Sequence, residues 1–168
     1  NVDEKDIFKK IVNALMVIKK DIPIIFPLHP RTCKRIHELG LENSFNWEIY
    51  RDPFYSLNYV RDELIIAMQP QGYLDFLKLL SSASLVLTDS GGIQEETTVL
   101  GVPCVTLRDN TERPVTITSG TNLIAGTDED KIIECAKNQL NSPKVNRIPP
   151  LWDGKAAWRI VNIIKEMN

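Results

Sequence analysis

Apolar and polar residues follow two periods along this chain. Ile7, Ile11, Ala14, Leu15 and Ile18 recur at helical spacing and predict an opening helix that Asp3 can cap. Lys9, Lys10, Lys19 and Lys20 fall mostly on its wet face. Short continuous apolar runs then interrupt the helical pattern. They are Pro23-Ile24-Ile25-Phe26, Glu63-Leu64-Ile65-Ile66-Ala67-Met68, Ser84-Leu85-Val86-Leu87, Cys104-Val105-Thr106-Leu107 and Thr121-Asn122-Leu123-Ile124. Each has the length of a buried strand. Between them lie stretches of helical character: 31–39, 73–80, the acidic stretch after Gly92, a helix begun by Arg113-Pro114, and one capped by Thr127 or Asp128 that runs to about Leu140. Proline suits a first helical turn, where its missing N–H costs nothing. Strands alternating with helices predict an α/β fold: a Rossmann-like, doubly wound parallel sheet of four or five strands, with helices on both faces.

Residues 41–62 fit the alternation worst. Their aromatics and turn formers read as an irregular insertion that packs over the sheet edge, meets a second subunit or covers a cleft. His37, in the helix before it, is expected to face solvent. Residues 141–150 form a proline-rich connector, and the last helix carries Ala157, Ile160, Val161 and Ile164 on one side. That helix either docks on its own domain or leaves apolar surface exposed.

Composition narrows the function. One domain over 1–168 is expected, with 43% hydrophobic and 25% charged residues, as in an ordinary globular protein. A net charge of −2 and the lack of a basic block give no support for a nucleic-acid partner. Cys33, Cys104 and Cys135 are too few and too scattered for a disulfide framework or a zinc site, and Cys104 reads as a small core residue. No stretch reaches transmembrane length and residue 1 begins no signal-peptide pattern, so the chain reads as cytosolic and without a membrane partner.

The chemistry gathers between residues 85 and 113. A strand enters Thr88-Asp89-Ser90-Gly91-Gly92-Ile93-Gln94-Glu95-Glu96, and a helix begins at once. The first N–H groups of a helix lack internal partners and carry the positive end of the macrodipole, which makes them an anion site. Glycine there lets a phosphate approach the backbone and permits positive φ if the turn needs it. Ser90 can add a hydroxyl, and one of Glu95 and Glu96 can reach back over the mouth of the site. After the next strand, Arg108-Asp109-Asn110-Thr111-Glu112-Arg113-Pro114 leaves toward the same crevice, because ligands of open parallel sheets lie beyond the strands' C-terminal ends. Backbone donors, a serine, a glutamate and one or two arginines suit a diphosphate attached to a polyhydroxyl group.

That central run resembles the non-hydrolysing UDP-N-acetylglucosamine 2-epimerases. So do Gly101-Val102-Pro103, Thr111-Glu112-Arg113-Pro114, Gly120-Thr121-Asn122, Phe26-Pro27-Leu28-His29-Pro30, Gln71-Gly72-Tyr73-Leu74-Asp75-Phe76 and Trp152-Asp153-Gly154-Lys155-Ala156. The resemblance implies one half of a two-domain fold like that of B-type glycosyltransferases, matching the second half only. It also implies a strand and a His-Arg turn ahead of Asn1, outside this sequence, and a crossover helix in 152–168.

The family inverts C2 of UDP-N-acetylglucosamine by eliminating UDP, through 2-acetamidoglucal, and adding it back. What the resemblance implies for this chain is UDP binding through Ser90, Gly91, Gly92, Glu96 and Arg113, with Glu96 on the ribose hydroxyls. His29 is then the catalytic candidate. Gln71 and Phe76 are candidates for the uracil, although Phe76 at helical spacing with Leu77, Leu79 and Leu80 could equally be core. The carboxylates that move the C2 proton lie in the family's first domain, so this chain is expected to bind UDP and not to catalyse alone. The resemblance further implies no metal, no cofactor, a homodimer and a place in cell-surface polysaccharide biosynthesis. A glycosyltransferase of the same architecture is the enzymatic alternative, and the Thr111-Glu112-Arg113-Pro114 loop argues against it. A non-catalytic nucleotide-binding module is the other.

Overall fold

The computed structural model describes residues 1–52, 65–142 and 147–167. Helix α1 (Lys5–Ile18) turns Phe8, Ile11, Val12, Ala14, Leu15 and Ile18 inward, as the spacing predicts. Asp3 does not cap it. Its carboxylate meets Arg31 at 2.6 Å and its carbonyl accepts from Arg35 at 2.8 Å. A guanidinium within reach outcompetes a neutral backbone N–H for a carboxylate. Lys19 is buried rather than wet, because Ile11, Leu15 and Lys19 follow one another at i+4 on one face.

Among the described residues there are six strands, all parallel, in two three-stranded sheets. The first has the order β1 (Ile25–Pro27), β3 (Ile65–Met68), β2 (Phe45–Asn46), with Ile25 opposite Ile66 and Phe45 opposite Ile65. The second has the order β4 (Val86–Thr88), β5 (Cys104–Thr106), β6 (Asn122–Ile124), with Val86 opposite Cys104 and Cys104 opposite Asn122. Parallel strands separated by helices are the doubly wound pattern, with helices on both sides. The strand count exceeds the four or five expected. Among the described residues β1 pairs only with β3 and β4 only with β5, so the single expected sheet is divided in two.

One core nevertheless spans both sheets. Phe8, Ile11, Val12, Leu15 and Ile18 of α1 join Leu28, Ile36, Phe45 and Ile65 from the first half with Val105, Leu107 and Ile132 from the second. Helix α1 packs on α7 (Glu129–Asn141), which Asp128 caps by accepting from the Lys131 N–H at 3.1 Å. Cys104 lies in the central strand of the second sheet, where burial pushes its thiol up to about 12. It is a protonated core residue.

The extra strand comes from the aromatic segment. Residues 42–51 hold a turn of 3₁₀ helix (Glu42–Ser44), β2 and α3 (Glu48–Arg51). Phe45 is buried, lies 6.1 Å from Phe26 and 5.8 Å from Trp47, and Trp47 meets Tyr50 edge-on at 5.5 Å. This part packs over the sheet edge, one of the three expected roles. The rest of the segment, 53–62, lies outside the described residues. His37 is exposed, as expected, and its ring is also engaged. Its ring stacks on Trp47 at 5.3 Å and its Nδ1 is 3.1 Å from Glu42. Glu42's own backbone N–H and His37 hold that carboxyl below its usual range.

The remaining helices are α2 (Pro30–Glu38), α4 (Tyr73–Ser82), α5 (Gly91–Leu100), α6 (Val115–Thr118) and α8 (Ala156–Glu166). Helix α8 buries none of its residues and leaves Trp158, Ile160, Val161 and Ile163 exposed, the second of its two expected outcomes. Among the described residues no helix is long and apolar enough to cross a membrane.

The packing makes a contrast that chemical denaturation can measure. Phe8 is 1% exposed beneath both sheets and Leu74 is 77% exposed on α4. Phe8→Ala is expected to cost about 3–5 kcal/mol, and Leu74→Ala to stay within about 0.5 kcal/mol. Equal losses at the two positions would contradict the shared core.

Candidate functional site

Strand β4 ends at Thr88, and α5 begins three residues later. Thr88 Oγ1 accepts the Ser90 N–H at 3.1 Å and so shapes the turn. Gln94 is the first residue of α5 to close a helical bond, on the Ser90 carbonyl at 3.3 Å. Ser90 has extended backbone and a good capping side chain, yet its hydroxyl bonds none of the first N–H groups. This differs from α7, capped by Asp128, and from α2, where His29 Nδ1 accepts from the Arg31 N–H at 3.2 Å. The donors of Gly91, Gly92 and Ile93 are left for something else.

Neither Gly91 nor Gly92 has positive φ, which overturns the conformational reason for glycine in this turn. A Cβ at Gly91 would meet Arg113 Cγ at 3.8 Å and one at Gly92 would meet Ser90 Oγ at 3.9 Å, both ordinary contacts. What remains is access: only a group arriving from outside needs the missing Cβ atoms. The left-handed residue of this helix is Gly101, which terminates it at φ 68°.

Arg113 stands over the same helix end. Its Nε lies 2.9 Å from Glu95 Oε1, with the N–H directed off the oxygen, so the contact is an ion pair and not a hydrogen bond. Its Nη1 donates to the Glu112 carbonyl at 3.2 Å. Arg108 is 3.8 Å from Glu112. Glu95 is therefore the glutamate that partners a cation, and Glu96 is half-buried with no hydrogen-bond or ion-pair partner among the described residues. Ser90, Gly91, Gly92 and Arg113 meet at the start of α5, and Glu96 lies one turn further along the helix, at i+4 from Gly92.

Two predicted residues, His29 and Gln71, lie on loops that leave the other sheet, and a third, Phe76 on α4, packs against β4 and α5. His29 leaves β1 as the N-cap of α2 and is exposed; with Nδ1 accepting, a neutral ring carries its proton on Nε2. Gln71 is exposed after β3, and its Nε2 donates to the Gln69 carbonyl at 2.7 Å. Phe76 is half-buried and packs with Leu80, Val86, Val102 and Ile93, which places its ring in a small core cluster. The two sheet ends are tied by the first residues of the chain. Asn1 Nδ2 donates to the Leu107 carbonyl and its backbone nitrogen is 3.8 Å from Asp89, while Val2 and Asp3 accept from Arg35. Both sets of loops thus open toward one edge, beyond the carboxyl ends of the strands.

The sequence reading missed what lies under the site. Gln94, Thr97, Thr98, Thr106, Thr116 and Asn122 are buried polar residues, and Gln94 is 0% exposed. Gln94 Oε1 accepts from the Thr111 hydroxyl and from Asn122 Nδ2 at 3.3 Å. Its Nε2 has no partner, a cost of about 1–3 kcal/mol for a buried donor. The sequence hid this because α5 inverts the usual pattern: Gln94, Thr97 and Thr98 are inside and Val99 and Leu100 outside. Gly120 belongs to the same packing, since a Cβ there would lie 2.4 Å from the Thr116 carbonyl and 2.8 Å from the Thr98 side chain. Among the described residues no three His, Cys, Asp or Glu side chains are grouped to share a metal ion.

Known proteins place this arrangement. The family model described as UDP-N-acetylglucosamine 2-epimerase matches residues 1–165. UDP-N-acetylglucosamine 2-epimerases of Methanococcus maripaludis and Methanocaldococcus jannaschii are 41% and 42% identical to this chain over 166 residues, which is 98% of it and 41% of each of them. The solved Methanocaldococcus jannaschii enzyme superposes with a TM-score of 0.79 at 41% identity, covering 99% of this chain and 43% of its own. Its complex with UDP-GlcNAc and UDP gives 0.78 at 40% identity, covering 99% and 42%. The chain spans about two fifths of these relatives. From the open start of α5 to the family match over residues 1–165, the observations converge: the chain belongs to the UDP-N-acetylglucosamine 2-epimerase family.

Proposed function

We propose that this chain is the UDP-binding half of an enzyme that interconverts UDP-N-acetylglucosamine and UDP-N-acetylmannosamine. The carrying observation is the uncapped start of α5, with Ser90 at its mouth, Arg113 over it and Glu96 unpartnered beside it. In elimination the C2 proton leaves to a base, the C1–O bond breaks, and its electron pair stays on the departing diphosphate. Re-addition returns that oxygen to C1 while a proton enters the opposite face of C2. The donors of Gly91, Gly92, Ile93 and Ser90, with Arg113, meet the charge where it develops, already oriented before the bond breaks.

Glu96 accepts from the ribose hydroxyls in this reading. His29 presents its Nε2 side to the sugar or diphosphate and assists proton traffic. Gln71 contacts the uracil, and the edge of the Phe76 ring that its core cluster leaves uncovered adds an apolar contact. Residues 1–168 act as one nucleotide-sugar domain with α8 as the crossover helix, whose exposed apolar side chains support a further partner surface. Proton transfer at C2 falls to carboxylates of another domain outside this sequence, and a strand of that longer protein lies between β1 and β4, each paired on one side only among the described residues. The complete enzyme works as a cytosolic homodimer in cell-surface polysaccharide biosynthesis. The relatives' names and a relative's complex with UDP-GlcNAc and UDP support the substrate assignment.

Calorimetric titration of the chain with UDP, with ADP and uridine as controls, tests the reading. Arg113→Ala and Glu96→Ala are each expected to weaken UDP about 10- to 100-fold, as loss of a hydrogen bond to a charged group does. A folded chain that does not saturate with UDP, or an Arg113→Ala variant that binds normally, would refute it.

Gly91→Ala and Gly92→Ala separate access from conformation. Neither Cβ meets an obstacle, so thermal unfolding is expected to show unchanged or slightly raised stability, by up to about 1 kcal/mol. UDP affinity is expected to fall in both. A loss of stability would show that the glycines serve the turn and not the ligand.

A further inference from the structure

Arg113 has both polar groups of its backbone held by threonine hydroxyls. Its N–H donates to Thr111 Oγ1 at 2.9 Å, and its carbonyl accepts from Thr116 Oγ1 at 2.7 Å. The Thr111 hydroxyl donates onward to Gln94 Oε1, and the Thr116 hydroxyl accepts from Asn122 Nδ2 at 3.1 Å. Asn122 Nδ2 also donates to Gln94 Oε1 at 3.3 Å, which closes a ring that runs through Gln94, Thr111, Arg113, Thr116 and Asn122. Asn122 Oδ1 accepts from Thr106 Oγ1 at 2.8 Å and anchors the ring in β5.

The donor directions around this ring are mutually consistent. Thr111 donates to Gln94 and accepts from Arg113; Thr116 donates to Arg113 and accepts from Asn122. Both neighbours of the Gln94 amide donate to its oxygen, and its nitrogen has no partner among the described residues. An apolar residue at 94 would avoid the unpaired nitrogen and would lose the acceptor that closes the ring. Gln94 is also the fourth residue of α5. The ring therefore bolts the Arg113 loop to the same helix whose first N–H groups form the anion site, and the cation and the backbone donors keep one relative position.

We propose that Gln94 is a positioning residue of the nucleotide site. It does not touch the nucleotide. It fixes Arg113 against the start of α5 and so sets affinity for the diphosphate, not for the nucleoside. This rests on the UDP reading above, and its test is built to fail separately from it.

Gln94→Met keeps volume and removes the acceptor. Thr111→Val removes the hydroxyl between Gln94 and Arg113 at a half-buried loop position, and carries the test if the core variant does not fold. Hydrogen exchange is expected to speed up over residues 111–116 in both variants and to stay unchanged over α7. UDP affinity is expected to fall on the order of tenfold, the size of couplings within one hydrogen-bond network, while uridine affinity holds. In an Arg113→Ala background the same substitutions should cost little further UDP affinity. A purely structural role would weaken UDP and uridine together, or would add in full to Arg113→Ala, and either result overturns the proposal. Unchanged exchange over 111–116 overturns it whatever UDP does. Failure of the unsubstituted chain to bind UDP, with faster exchange in the variants, would remove the nucleotide reading and uphold the ring.

Discussion

The N–H groups of Gly91, Gly92 and Ile93 precede the first closed bond of α5, and no side chain among the described residues satisfies them. A serine cap is worth about 1 kcal/mol to a helix, and Ser90 is placed to supply one and does not. The helix forgoes a stabilisation of that size and keeps its donors and dipole available to an anion. The surrounding choices follow from that. Glycine at the first two positions leaves the backbone accessible, the neighbouring strands send their loops to the same edge, and the Arg113 cation reaches the helix start from the loop after β5.

Much of this was legible in the sequence, for an identifiable reason. Thr88, Gly91, Gly92, Glu95 and Arg113 act locally or through strand order, and strand order follows from alternating apolar runs. The parts that were not legible depend on long-range packing. Gln94 reads as one more polar residue in an acidic helix, and only the fold shows it fully buried against Asn122 and Thr111. Phe45 and Asn46 read as part of an aromatic loop, because a two-residue strand leaves no period to detect; pairing with β3 makes it a strand. Asp3 was a reasonable cap until Arg31, distant in sequence, arrived beside it.

The divided sheet makes the two halves of the site unequal. The half built on β4, β5 and β6 holds the anion cluster and is cross-braced by buried hydrogen bonds. The half built on β1 and β3 offers His29 and Gln71, whose hydrogen bonds among the described residues are local, to the Arg31 N–H and the Gln69 carbonyl. What couples the halves is the α1 core below and the contacts of Asn1, Val2 and Asp3 above. Core burial is worth several kcal/mol per large side chain, and exposed ion pairs such as Asp3 with Arg31 about 0–1 kcal/mol. The relative placement of His29 and Arg113 is thus set mainly from beneath, by α1.

Two different restraints act on Arg113, and their magnitudes divide its labour. The ion pair with Glu95 is half-exposed on both sides, so it contributes about 0.2–1 kcal/mol and weakens with salt. The ring through Thr111 and Thr116 includes buried hydrogen bonds worth about 0.5–1.5 kcal/mol each, and breaking one leaves a buried polar group unpaired at about 1–3 kcal/mol. The backbone of Arg113 is consequently the fixed part and its guanidinium the movable one. On the UDP-binding reading proposed above, a diphosphate, with more charge than a single carboxylate, would draw the guanidinium off Glu95 without disturbing the loop, and Glu95 would receive it again on release.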